Sequence, residues 1–136
     1  KIKKKKSSRG VLGGVPTKLP ALLKAQRVQE KAAGVGFDWP ELTPVMDKVR
    51  EEWQEFEDAM QSQNSEHIEE ELGDMLFTLV NLARRLHLSA ELVLTKSTDK
   101  FIRRFNQVES MAQGKLSGMS LEEMDTLWEK SKKKCK

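Results

Sequence analysis

Two short acidic runs carry most of the chemistry in this sequence, EEWQE at 51–55 and EELGD at 70–74. Each holds two carboxylates three residues apart, Glu52 with Glu55 and Glu71 with Asp74. In a helix, where each residue turns by about 100°, that spacing puts both members of a pair on one face. Four carboxylates gathered in one place repel one another and resist losing water, so some of them would have to hold protons. A divalent cation removes the conflict. Hard oxygen donors without histidine or cysteine favour Mg²⁺, with Mn²⁺ as the alternate, over zinc. For either pair alone the commoner explanation is a solvated face of an amphipathic helix, because glutamate is abundant there.

The placement of the pairs against the apolar residues separates these views. With Glu52 at the origin of a helical wheel, Val45, Val49, Trp53, Phe56 and Met60 fall between about +20° and +100°, and Glu55 near about −60°. With Glu71 at the origin, Ile68, Leu72, Met75 and Leu79 fall between about +40° and +100°, and Asp74 again near about −60°. Both helices are therefore expected to carry an acid pair along the same border of an apolar stripe. If they pack antiparallel through those stripes, the four carboxylates converge at one edge of the core.

The elements that must position these residues are helices. Strand signals are weak, apart from a short extended piece expected near Val11–Val15. A first helix is predicted from about Leu19 to Ala33, stopped by Gly34 and Gly36. After the loop GFDWPE, Thr43 reads as an N-cap with Pro44 at the first helical position, opening a helix to about Gln61. Asn64 or Ser65 caps a third helix ending near His87, and Ser89 a fourth reaching about Gln113. Ser120 and Glu123 have capping-box spacing before a last helix over 121–132.

Composition narrows the function classes. The chain has 136 residues and is 38% hydrophobic, enough for one modest core. No apolar stretch approaches the roughly 18 residues needed to span a bilayer, and a secretory signal is not expected, because the charged start leads into no apolar segment. The single cysteine, Cys135, excludes an intrachain disulfide or a cysteine-built zinc site. A cytoplasmic location is the expectation. Ten lysines at the two ends outweigh the net charge of +3, which leaves residues 7–129 at −7. An acidic body argues against nucleic acid as partner. The expected organisation is a basic linker or arm over 1–16, a helical domain over 17–133 and a basic tail over 134–136. Residue 1 is Lys, so the sequence reads as a fragment or a processed chain.

Taken in order along the chain, these residues resemble the MazG family of all-α nucleoside triphosphate pyrophosphohydrolases. The family signature is EExxE followed by ExxD, here EEWQE at 51–55 and ELGD at 71–74. LPALLKAQRVQEKAAGVGFDW at 19–39, KFIRRF at 100–105 and MSLEEMDTLWEKSK at 119–132 extend the likeness on both sides. It is closest to the C-terminal, catalytically active half of a tandem-domain member.

The resemblance implies an all-α helical bundle that dimerises, with nucleoside triphosphates as substrates cleaved at the α-phosphorus to monophosphate and pyrophosphate. It implies Glu52, Glu55, Glu71 and Asp74 as catalytic metal ligands. Lys48, one turn before Glu52, and Lys100 with Arg104, four apart on the fourth helix, match its phosphate-binding positions, with Phe101, Phe105 and Val108 alongside as core. Trp128 and Lys132 would close over the nucleotide, unless Trp128 is core and Lys132 tail. Glu51 and Glu70 complete the motif in supporting or substrate-side roles. Asn81 could meet a base or ribose. Phe37 and Trp39 read as packing residues more than as base platforms. His67 departs from the pattern, because relatives often carry a lysine there and histidine is only partly charged at pH 7. Two alternatives stay open: a narrow dUTP or dCTP pyrophosphatase of the same superfamily, and a non-catalytic helical dimerisation module, for which a broken acid quartet would be expected.

Overall fold

A computed structural model describes residues 10–134. Among these residues there are helices and 3₁₀ turns and no strand. The helices are α1 (Ala21–Gly34), α2 (Leu42–Ser62), α3 (Ser65–Arg85), α4 (Ala90–Ala112) and α5 (Leu121–Lys134). The class is all-α, as the helical periodicity and the resemblance both imply. Two compact units divide the chain, the first reaching Glu91 and the second starting at Leu92.

In the first unit, α2 and α3 form a hairpin joined by Gln63 and Asn64. Gln63 adopts the left-handed conformation at φ 60°, and Asn64 then caps α3 by accepting from the backbone N–H groups of Glu66 and His67. A short polar cap of this kind satisfies N–H groups that the first helical turn leaves without partners. α1 packs on α3, and the Gln29 Nε2 amide donates to the Phe77 carbonyl at 2.9 Å. The Gln26 side chain in turn accepts from the Ala90 N–H at 3.1 Å.

Two local expectations change. Val11–Gly14 is a 3₁₀ turn contacting α1, not an extended piece. The N-cap of α2 is Glu41, which places Thr43 and Pro44 inside the first turn. Proline fits there because first-turn N–H groups have no helical acceptor, so its missing donor costs nothing.

The second unit holds α4 from Leu92 onward and α5. The Ser120 Oγ accepts from the Glu123 N–H at 3.1 Å, and the Glu123 carboxylate accepts from the Ser120 N–H at 2.8 Å. This is the capping box that the spacing predicts. Hydrogen bonding to the carboxylate from the Ser120 backbone N–H, and then from the Ser120 side chain, holds the Glu123 carboxyl below its ordinary pKa. Trp128 is half-buried on Phe101, ring centroids 5.2 Å apart. Phe101 and Phe105 stack on each other at 5.9 Å yet are 55% and 38% exposed, so they are not core as expected, whereas Val108 is buried.

Candidate active site

The buried line of α2 runs through Val45, Glu52 and Ala59, at intervals of seven residues. Glu52 is only 4% exposed. It therefore stands inside the seam between α2 and α3 rather than beside the apolar stripe. Trp53 and Met60, expected within that stripe, are about half exposed. On α3 the covered line is Ile68, Glu71, Met75 and Thr78, while Leu72 and Leu79 are open. Glu52 and Glu71 are thus turned inward relative to the wheel reading, while Glu55 is half-buried and Asp74 stays exposed.

The buried charge of Glu52 is compensated within its own helix. A buried carboxylate is strongly unfavourable unless it is paired or bound to a cation. Lys48 Nζ lies 3.0 Å from Glu52 Oε2 and 3.1 Å from Glu51 Oε1. These contacts with Glu52 and then Glu51 raise the Lys48 pKa. The other Glu52 oxygen, Oε1, is buried with no hydrogen-bond partner, and so is Glu71 Oε2.

The carboxylates converge in two overlapping groups of three, with Glu55 in a different group from Glu71 and Asp74. Glu52, Glu71 and Asp74 bring one oxygen each within 4.8 Å of one another, and so do Glu51, Glu52 and Glu55. Glu52 belongs to both groups. The charge on Glu52, burial and the charge on Glu71, in that order of size, push the Glu55 carboxyl above its ordinary pKa. Converging oxygens, two buried orphan acceptors and a carboxyl driven toward its proton are the signs of a donor set that a hard cation fits.

The remaining candidates divide by position. Glu70 is exposed and joins neither acidic group. His67 Nδ1 stands 4.0 Å from Glu71 Oε1, at the border of the cluster. Lys100, Arg104, Trp128 and Lys132 belong to the second unit. There Lys100 and Arg104 are half-buried on the face of α4 that continues to buried Val108 and Ala112, and Lys132 pairs with Glu129 at 3.1 Å.

An apolar cavity of about 640 Å³ in the first unit escaped sequence reasoning. Val28, Gln29, Phe37, Trp39, Phe77 and Thr78 line it, with Asn81 and Lys48. Phe37 is 80% exposed, so it is not the packing residue expected, and Trp39 is 40% exposed. Asn81 accepts from Arg84 Nε at 3.0 Å, a satisfied polar residue. The cavity and the acid cluster share Lys48. Only the fold brings the 28–39 and 77–84 segments together, so no local spacing signals the cavity.

A family model described as the MazG nucleotide pyrophosphohydrolase domain matches residues 41–109. That span takes in both acid pairs and Lys48, Lys100 and Arg104. The chain belongs to the MazG family. It is 42% identical over 133 residues to a nucleoside triphosphate pyrophosphohydrolase of Escherichia coli K12, covering 94% of this chain and 51% of that protein. It is 41% identical over 132 residues to the Thermotoga maritima nucleoside triphosphate pyrophosphohydrolase/pyrophosphatase MazG, covering 95% and 50%. It is also 44% identical over 136 residues to an uncharacterized Bacillus subtilis protein, YabN, covering 97% and 28%. The chain thus spans about half the length of the MazG relatives named for activity. No helix among its described residues is long and apolar enough to cross a membrane.

Proposed function

We propose that the chain hydrolyses nucleoside triphosphates to nucleoside monophosphates and pyrophosphate, with Mg²⁺ as cofactor and broad tolerance of the base. One observation carries this reading: Glu52, Glu71 and Asp74 bring carboxylate oxygens within 4.8 Å, on the same two helices that hold the family motif. Glu52, Glu55, Glu71 and Asp74 would hold the metal. When bound, it would neutralise the acids, polarise the α-phosphoryl group and lower the pKa of a water molecule.

The side chains of this chain do the rest. Lys48 meets a substrate phosphate from the border of the acid cluster. The acids repel a triphosphate that arrives without its metal, so productive binding is confined to the metal complex. The apolar cavity beside Lys48 offers room without a rigid set of polar readers, which suits a broad base preference. The resemblance adds Glu51, Glu70, Lys100, Arg104, Trp128 and Lys132 as substrate-side residues. A homodimer accompanies this reading. The exposed leucines Leu72, Leu76 and Leu79 form one face of α3, and a chain of this size gains stability by covering such a face.

The test is a phosphate-release assay on the common ribonucleoside and deoxynucleoside triphosphates, run with and without inorganic pyrophosphatase. Phosphate seen only with the added enzyme identifies pyrophosphate as product. Release without it, no release from any nucleotide, or activity indifferent to EDTA rejects the proposal.

A further inference from the structure

Lys48 stands between two functions. Its ammonium holds Glu52 Oε2 at 3.0 Å, and the same side chain lines the apolar cavity next to the acid cluster. Glu52 is common to both groups of converging acids, and its second oxygen is buried without a partner. The carboxylate at the centre of the donor set is therefore already half neutralised by a side chain of the protein. The Lys48 side chain is 35% exposed, so it has room to leave. Its other partner, Glu51, is 57% exposed and holds it weakly against solvent.

We propose that Lys48 opposes metal binding at Glu52 and that a substrate phosphate relieves this opposition by drawing Lys48 away, so that metal and nucleotide bind cooperatively. The inference rests on the metal and triphosphate reading given above. Two cations on one carboxylate repel each other, so Lys48 on Glu52 lowers the affinity of the cluster for a divalent ion. A triphosphate offers the ammonium a stronger anionic partner. Once Lys48 turns to it, Glu52 can give both oxygens to metal. Linkage then requires that the metal raise nucleotide affinity by the factor by which nucleotide raises metal affinity. Lys48 thus serves the substrate and the metal site in turn. It keeps the charged cluster from filling with metal before substrate arrives.

Calorimetric titration of the intact chain with MnCl₂, alone and with α,β-methylene-ATP, tests this. Lys48→Met should bind Mn²⁺ alone at least about fivefold more tightly than wild type, the lower end of ordinary coupling factors. Lys48→Gln should shift in the same direction, and Lys48→Arg should stay within about twofold of wild type. Arg50→Met, which removes an equal charge bonded instead to Asp47, should also stay within about twofold. The tightening of Mn²⁺ binding caused by the analogue should be smaller in Lys48→Met than in wild type. Unchanged or weaker Mn²⁺ binding in both Lys48→Met and Lys48→Gln overturns the proposal, as does an equal shift in Arg50→Met. Circular dichroism separates a misfolded variant from a folded one. If neither wild type nor Lys48→Met binds Mn²⁺, with or without the analogue, the metal reading fails. If wild type binds Mn²⁺ with no difference among variants, only the present inference fails.

Discussion

Arg84 reaches back 46 residues to Asp38, its Nη2 at 2.8 Å from Asp38 Oδ1. Arg85 adds a contact to the same oxygen at 3.3 Å and donates to the Trp39 carbonyl. The end of α3 thus holds the GFDW loop that forms one wall of the apolar cavity. The hydrogen bond from Arg84 is the main reason the Asp38 carboxyl sits below its ordinary pKa. A carboxyl depressed in the folded state stabilises fully above its unfolded pKa and loses that contribution as pH falls through the folded value. Asp38→Asn should therefore cost about 1–2 kcal/mol at pH 7, and the difference from wild type should shrink below about pH 4. Urea titrations of both proteins across pH measure it.

Glu52→Gln and Asp74→Asn each remove a charged donor from the cluster without changing its shape. Pyrophosphate release should fall by at least about a hundredfold, more than the loss of a residue that only supports a ligand. Far-ultraviolet circular dichroism should remain that of the wild type. Near-normal turnover in both variants would remove the metal mechanism.

Glu55 predicts an effect of opposite sign. Its carboxyl is raised, first by the charge on Glu52. The folded chain then binds a proton more readily than the unfolded one, so stability declines as pH rises through this window. In EDTA, Glu55→Gln should melt at a higher temperature than wild type at pH 7, and the gap should narrow toward pH 4. Saturating Mg²⁺ should reverse the order, because the wild type gains a bound ion that the variant holds poorly. Thermal scans in the two buffers check both statements.

The leucines on α3 give a prediction about assembly. Leu72, Leu76 and Leu79 are 45%, 51% and 42% exposed and lie on one face. Leu76→Asp should convert a dimer of the 15.5 kDa chain to monomer, read by light scattering coupled to gel filtration. A wild-type chain that elutes as a monomer at working concentration contradicts the dimer.

Lys100→Met and Arg104→Met should raise the KM for triphosphate about tenfold, the loss of one charge-assisted contact each, and leave Mn²⁺ affinity unchanged. Unchanged KM in both would remove Lys100 and Arg104 from the phosphate-binding residues.

What the chain determines locally is its helices, their ends and the pairing of its acids. Asn64 caps α3, Ser120 and Glu123 form their box, and Glu52–Glu55 and Glu71–Asp74 lie on helices, because each of these depends on neighbours within four residues. The tertiary structure decided which way the helices turn. Periodicity assigned Trp53, Met60, Leu72 and Leu79 to the interior by apolarity alone, yet the seam between α2 and α3 closes over Glu52 and Glu71 instead. Lys48 meets the charge of Glu52 there, a contact that a wheel built on apolarity does not register. The cavity bounded by Gln29, Trp39 and Thr78 likewise exists only after α1 and the GFDW loop dock on α3, since its walls come from segments that share no local pattern.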